Sequence, residues 1–174
     1  MKSFVKSYAP KESTFYALDN SADMLKVLNE RQRISDFENK LVIQNVDLNT
    51  FRDFEHSSFG LFNLVLQFLN YESRFSLLSS FYKKLLSGAA IVVVEKVVFS
   101  DEKYNQYVID QFRSFKQSKG YSRKEILMKE KSLEGVLKPL TLKRNIQNLH
   151  EAGFEMIETF FQWYNFIGIV AVKR

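Results

Sequence analysis

The run "AAIVVVEK" (residues 89–96) constrains the fold more than any other stretch. It is apolar and largely β-branched, with no polar residue before Glu95. A surface helix would show a polar face every turn, and a half-exposed strand would alternate. A membrane span would need about 20 apolar residues. The remaining reading is a strand buried on both faces, as in a parallel sheet. Parallel neighbours require crossover connections, usually helical, and the rest of the chain supplies them. Strands are expected at 14–18, 41–46 and 61–66, the last wholly apolar except for Asn63. A helix is expected at 21–33, with Asn20 or Ser21 as N-cap, Asp23 in its first turn, and Met24, Leu25, Val27 and Leu28 as its apolar stripe. Residues 72–86 read as a helix, with Gly88 placed as its C-cap. Further helices are expected at 101–119 after Ser100, at 122–133, and at 141–151 before Gly153. The tail "FEMIETFFQWYNFIGIVAVKR" reads as two strands tightly joined near 162–164, hence an antiparallel pair. The fold class is α/β: a mainly parallel sheet with a C-terminal antiparallel hairpin, in one domain spanning 1–174.

Composition narrows the function. The 174 residues include no cysteine, which excludes disulfides and thiolate metal sites and fits a reducing cytoplasm. The net charge of +5 comes from dispersed Lys and Arg, which reads as a solvated surface rather than a nucleic-acid footprint. The N-terminal "MKSFVKSYAPKES" has lysines without the apolar core of a secretory signal. There is no GxSxG, HExxH or GxxxxGK[ST] motif. The histidines, His56 and His150, both lie beside acids, so neither a metal site nor a histidine-activated nucleophile is expected. The aromatic tail (Phe160, Phe161, Trp163, Tyr164, Phe166) reads as a core-facing hairpin, with base stacking as the competing use.

In sheets of this class, ligands sit beyond the carboxyl ends of the strands. The polar residues there are Asp19 after the first strand, Asp47 after the second, Asn63 within and Gln67 after the third, and Glu95 closing the fourth. An acid after an early strand can accept two hydrogen bonds from a ribose diol. Asp19 reads equally well as a helix-capping aspartate. Asn63, in a strand expected to be buried, needs partners there, either a neighbouring loop or a ligand.

The segments "ALDNSADM", "LFNLVLQFL", "VVVEKVVFSDEK", "KGYSRKEI", "SLEGVL" and "HEAGFEMIETFFQWYNF", in that order and spacing, closely resemble the carboxy-S-adenosyl-L-methionine synthase family. The resemblance runs from about Thr14 to the C-terminus. It implies a Rossmann-like class I methyltransferase fold with S-adenosyl-L-methionine as cofactor. It also implies prephenate as substrate, a homodimer, and a downstream tRNA-modifying enzyme that uses the product at the wobble uridine. Direct nucleic-acid binding and a membrane association are not implied. By the same resemblance, Asp19 and Asn20 hold the ribose, Asp47 and Leu48 flank the adenine, and Asn63 contacts the cofactor.

Two departures stand out. The family has an arginine for the new carboxylate where this chain reads "MKEKSLEGV", so Glu130 occupies that place between Lys129 and Lys131. Either lysine would serve there only as a point charge. An ordinary methyltransferase derived from the family, or a non-catalytic remnant, are therefore the competing readings. The family also has a central strand and a D-x-G-C-S glycine loop upstream of this region, and both are expected to be missing here. The strands ending at Leu18 and Leu66 would then lack the neighbour between them. A start further upstream, a split gene, or a second polypeptide would each account for this.

One prediction follows from the missing loop. Losing several charge-assisted hydrogen bonds, at ~1.5–3 kcal/mol each, would lower cofactor affinity by orders of magnitude. Calorimetric titration of residues 1–174 with S-adenosylmethionine is expected to show weak binding or none, and a micromolar dissociation constant would contradict this.

Overall fold

The computed structural model describes residues 12–33 and 40–174. Its contacts divide the chain into two compact units, Met1–Phe51 and Arg52–Arg174.

The first unit is a strand–helix–strand. β1 (Thr14–Asp19) pairs in parallel with β2 (Lys40–Asn45), in a register running from Thr14 opposite Lys40 to Asp19 opposite Asn45. Helix α1 (Ala22–Arg33) connects them. Of the two expected N-caps, Ser21 takes the role, its Oγ accepting from Met24 N at 3.3 Å. The apolar stripe is narrower than expected. Leu25 is buried and Leu28 half-buried, one turn apart, whereas Met24 and Val27 are rotated away and exposed. Among the described residues of this unit, Leu25 is the only fully buried hydrophobic side chain. One such burial contributes about 1.5–3 kcal/mol, against roughly 1 kcal/mol or more of backbone entropy per ordered residue. The described residues of this unit make little core of their own.

The second unit carries the core. Its elements are β3 (Ser57–Asn63), a 3₁₀ turn (Leu66–Phe68), α2 (Tyr71–Lys84), β4 (Leu85–Lys96), α3 (Glu102–Ser118), α4 (Arg123–Ser132), α5 (Leu142–Glu151), β5 (Met156–Trp163) and β6 (Phe166–Val172). The sheet order is β3-β4-β6-β5. β3 and β4 are parallel, and β6 runs antiparallel to both β4 and β5. The "AAIVVVEK" strand thus lies inside the sheet, paired on both edges.

Register assigns the faces. Ile91, Val93 and Glu95 share one face with Ala171, Ile169 and Ile167 of β6, and all are buried. Helix α2 covers this face through Phe81, whose ring makes edge contacts with Phe62 and Phe54 at 5.5 and 5.0 Å between centroids. The opposite face, with Val92, Val94 and Lys96, is only half-buried. There α3 packs over the hairpin, placing Phe112 5.3 Å from Phe166 and 5.6 Å from Trp163.

Several local expectations are corrected. The third strand stops at Asn63, because Leu64 turns to φ +58 and the chain then enters the 3₁₀ turn. Gly88 is not a helix cap. Helix α2 ends at Lys84 with an extended Leu85, and Gly88 sits inside β4 at φ +76, donating to Lys173 O at 2.8 Å. The cap of α3 is Asp101 rather than Ser100, its carboxylate accepting from Tyr104 N at 2.7 Å. The aromatic tail does not face the core as a whole. β5 is the outer strand, and Phe160, Phe161 and Trp163 are exposed, while β6 supplies the buried residues.

Gly60 lies in β3 where a β-carbon would collide with the Phe81 ring. Gly60→Ala is therefore expected to cost about 1–3 kcal/mol by overpacking, read as a lower denaturant midpoint with an unchanged slope.

Candidate functional site

The carboxyl end of the first unit's sheet gathers Asp19, Asn20, Asp47 and Leu48. The backbone does this directly: Asp19 pairs with Asn45, and Val46 N donates to Asp19 O at 3.0 Å. Asp19 is half-buried and Asn20 exposed. One Asp19 oxygen, Oδ1, accepts from Ser21 N at 2.8 Å. The capping role and the ligand role are thus compatible, because Oδ2 has no hydrogen bond among the described residues. Asp47 is exposed and folds the following turn. Its Oδ1 accepts from Asn49 N at 2.9 Å and Asn49 Nδ2 at 3.0 Å, and its carbonyl accepts from Thr50 N and Phe51 N. Leu48 is half-buried beside it.

In the second unit, Asn63 ends β3 at the carboxyl edge of that sheet. The expectation that it is buried is corrected: Asn63 is exposed. It shares a face of β3 with Phe59 and Leu61, which are 50% and 44% exposed, because α3 covers the hairpin side of that face instead of β3. The buried polar groups at this end are others. Glu95 is 1% exposed. Its Oε1 accepts from Val65 N at 3.0 Å and Leu66 N at 2.8 Å, and its Oε2 from Gln67 N at 3.0 Å. Burial pushes its pKa up to about 7, against the lowering effect of those amides and of Arg74. Gln67 is buried, its Oε1 accepting from Lys96 N at 3.1 Å. Arg74 is 1% exposed and donates from Nε and Nη2 to Leu69 O and from Nη2 to Lys138 O. Burial lowers its pKa, and the charge of Glu95 works the other way.

Arg74 was legible in principle. Arg74, Leu77, Leu78 and Phe81 follow helical spacing, so a charge stands on an apolar stripe. Together with an acid ending a β-branched run, that is the signature of a paired, buried charge.

A third cluster lies on the α3 side of the sheet. Glu130 of α4 is gripped by Arg113, whose Nη2 donates at 2.7 Å and Nε at 3.1 Å, and by Lys116 Nζ at 3.3 Å. Burial opposes ionisation of Glu130, but these bonds outweigh it and hold its pKa below the ordinary value. Lys96, half-buried at the end of β4, has its pKa lowered by burial, with Glu130 acting against that shift. Position 130 therefore offers a carboxylate that is already engaged by cations. Lys129 and Lys131 are exposed. Arg113 and Lys116 had no sequence signal beyond their spacing of three on one helix.

Both His56 and His150 are exposed. Among the described residues there is no group of three or more His, Cys, Asp or Glu able to hold a metal ion, and no helix long and apolar enough to cross a membrane.

No protein-family profile matches the chain. It is 36% identical over 168 residues to the carboxy-S-adenosyl-L-methionine synthase of Methylococcus capsulatus, covering 97% of this chain and 69% of that protein. It is 38% identical over 168 residues to the enzyme of the same name from Staphylococcus epidermidis, covering 94% and 69%. Among solved structures, the S-adenosylmethionine-dependent methyltransferase SibL aligns with a TM-score of 0.63 at 15% identity, over 91% of this chain and 42% of SibL. PigF with SAH aligns with a TM-score of 0.65 at 12% identity, over 99% and 46%. The chain spans less than half of those two structures, and at such identities the likeness establishes the methyltransferase fold alone.

The Glu130 cluster yields a stability prediction. Glu130→Arg would set a third cation against Arg113 and Lys116 and is expected to cost roughly 1 kcal/mol, reduced by salt because the pair is partly solvated. Chemical denaturation at low and high ionic strength measures both.

Proposed function

This chain belongs to the carboxy-S-adenosyl-L-methionine synthase family, and from that membership we infer that it is a transferase working with S-adenosylmethionine. Asp19 and Asn20 are assigned to the ribose, Asp47 and Leu48 to the adenine side, and Asn63 to the cofactor in the second unit. The observation that supports this most directly is Asp19 itself. It is half-buried at a strand's carboxyl end, with one carboxylate oxygen spent on Ser21 N and the other unspent. A diol needs such an acceptor. The residues present therefore fit a hydroxyl-bearing nucleoside.

Bound S-adenosylmethionine supplies a methyl group made acidic by its sulfonium. In our reading prephenate gives up its carboxyl group to that carbon and leaves as phenylpyruvate. Aromatisation of prephenate expels hydroxide, which takes up the methyl proton as water. The chain's part is to hold the nucleoside and keep water away from the reacting carbon. The product would serve a second enzyme that builds the 5-oxyacetyl group on the tRNA wobble uridine. The chain would act as a homodimer, without contacting tRNA itself.

One observation favours a second reading, ordinary methyl transfer. The carboxylate of Glu130 already occupies Arg113 and Lys116, so that cluster has no free cation pair for a carboxylated product.

Mass spectrometry of the chain incubated with millimolar S-adenosylmethionine and prephenate decides between them. A cofactor species carrying an added carboxyl, lost in Asp19→Ala, is the expected result. Absence of that species, with methyl transfer to an added acceptor, would establish the second reading.

A further inference from the structure

The proposed chemistry makes no use of Glu95, yet it is the most enclosed acid described, at 1% exposure. Its two oxygens take the amides of three successive residues, Val65, Leu66 and Gln67. These residues follow Asn63 after one intervening position. Between them stands Leu64, a non-glycine residue at φ +58, which is strained by about 1–2 kcal/mol. Its own amide is fixed to Val94 O at 2.7 Å. The return path is fastened too, since Gln67 Oε1 accepts from Lys96 N and Lys138 N donates to Gln67 O at 2.8 Å.

We infer that Glu95 is a positioning residue, a charge-dependent latch whose enclosed carboxyl group holds the 63–67 turn in the shape that presents Asn63 and loosens it on ionisation. An ionised carboxylate accepts at both oxygens and satisfies all three amides. Burial nevertheless costs that charge more than the amides return, so deprotonation favours an open turn in which the carboxylate is hydrated. The strained Leu64 then has less to hold it. The charged group acting on Glu95 is Arg74 of α2, which favours ionisation, and Tyr71 acts on Arg74 in turn. Burial opposes them and brings the balance to about 7, so the latch operates near neutral pH. As a statement about Asn63 and the cofactor, this rests on the function proposed above; as a statement about the turn, it does not.

Hydrogen exchange of the whole chain, read by mass spectrometry on a peptide covering residues 63–69 and corrected for intrinsic rates, tests it. Protection of these amides is expected to fall about tenfold between pH 6 and pH 8 in the wild type. In Glu95→Gln, which keeps the shape but cannot ionise, protection should not change between these pH values, while α3 and α4 remain protected. A flat wild-type profile would overturn the inference without any variant being needed, as would the wild-type pH dependence persisting in Glu95→Gln. Calorimetry with S-adenosylmethionine at the same two pH values separates the two claims. Tighter binding at pH 6 supports the coupling to the cofactor, and equal binding overturns it. No binding at either pH overturns the coupling to the cofactor, and the exchange data still decide the latch.

Discussion

A buried carboxyl group organises the end of the sheet where ligands would sit. Glu95 comes last in a run of β-branched residues, so the strand that makes the core also carries a charge into it. Burial of that charge is costly unless donors surround it. The donors are backbone amides from the next strand's exit turn, and the nearby cation is Arg74 from the helix that follows that turn. β3, the turn, α2 and β4 are thereby fastened at one point. Arg74 extends the fastening to Leu69 and Lys138, so the segment before α5 is tied in as well.

The arrangement sets two tendencies against each other. Glu95 has an ordinary pKa of 4.5 and a native one near 7. Between those values the native chain binds a proton that the unfolded chain gives up, so the contribution of this group to stability falls as pH rises through that window. The three amides soften that loss without reversing it. Global stability and local order at 63–67 therefore fall together as pH rises through the window. A site that must both persist and open would be drawn from such a low-stability element.

Much of the layered α/β design could be read from periodicity, because it depends on which faces are apolar. The 89–96 run, the C-terminal hairpin and the helices were legible for that reason, apart from their ends. Helix ends were misplaced at Gly88 and Ser100 because several residue types can terminate or cap a helix, and tertiary pairing chose among them: Gly88 was drawn into β4 through its bond to Lys173. Burial was harder to read than element type. Asn63 and the β5 aromatics look like core residues by composition, but exposure depends on which strand is outermost and which face a helix covers. Of the candidate site, the strand-end positions of Asp19 and Asp47 were legible. The grip on Glu130 was not, because Arg113 and Lys116 lie far from it in sequence and meet it only through the packing of α3 on α4.

That grip also changes what position 130 means. By resemblance it is the place for a cation that meets a carboxylate. Here the signs are exchanged: the carboxylate belongs to the chain, and the cations come from the facing helix. Lys96 links this cluster to the sheet, since it ends β4 one residue after Glu95 and points to the other face. Alternation along a strand therefore puts an acid latch on one side and a cation-rich cluster on the other. A single-residue slip of β4 would exchange them, placing Lys96 among the Val65, Leu66 and Gln67 amides, where donors would meet donors. The register of β4 is thus specified by charge as well as by the apolar pattern, which makes its last two residues as decisive for this end of the fold as the valines before them.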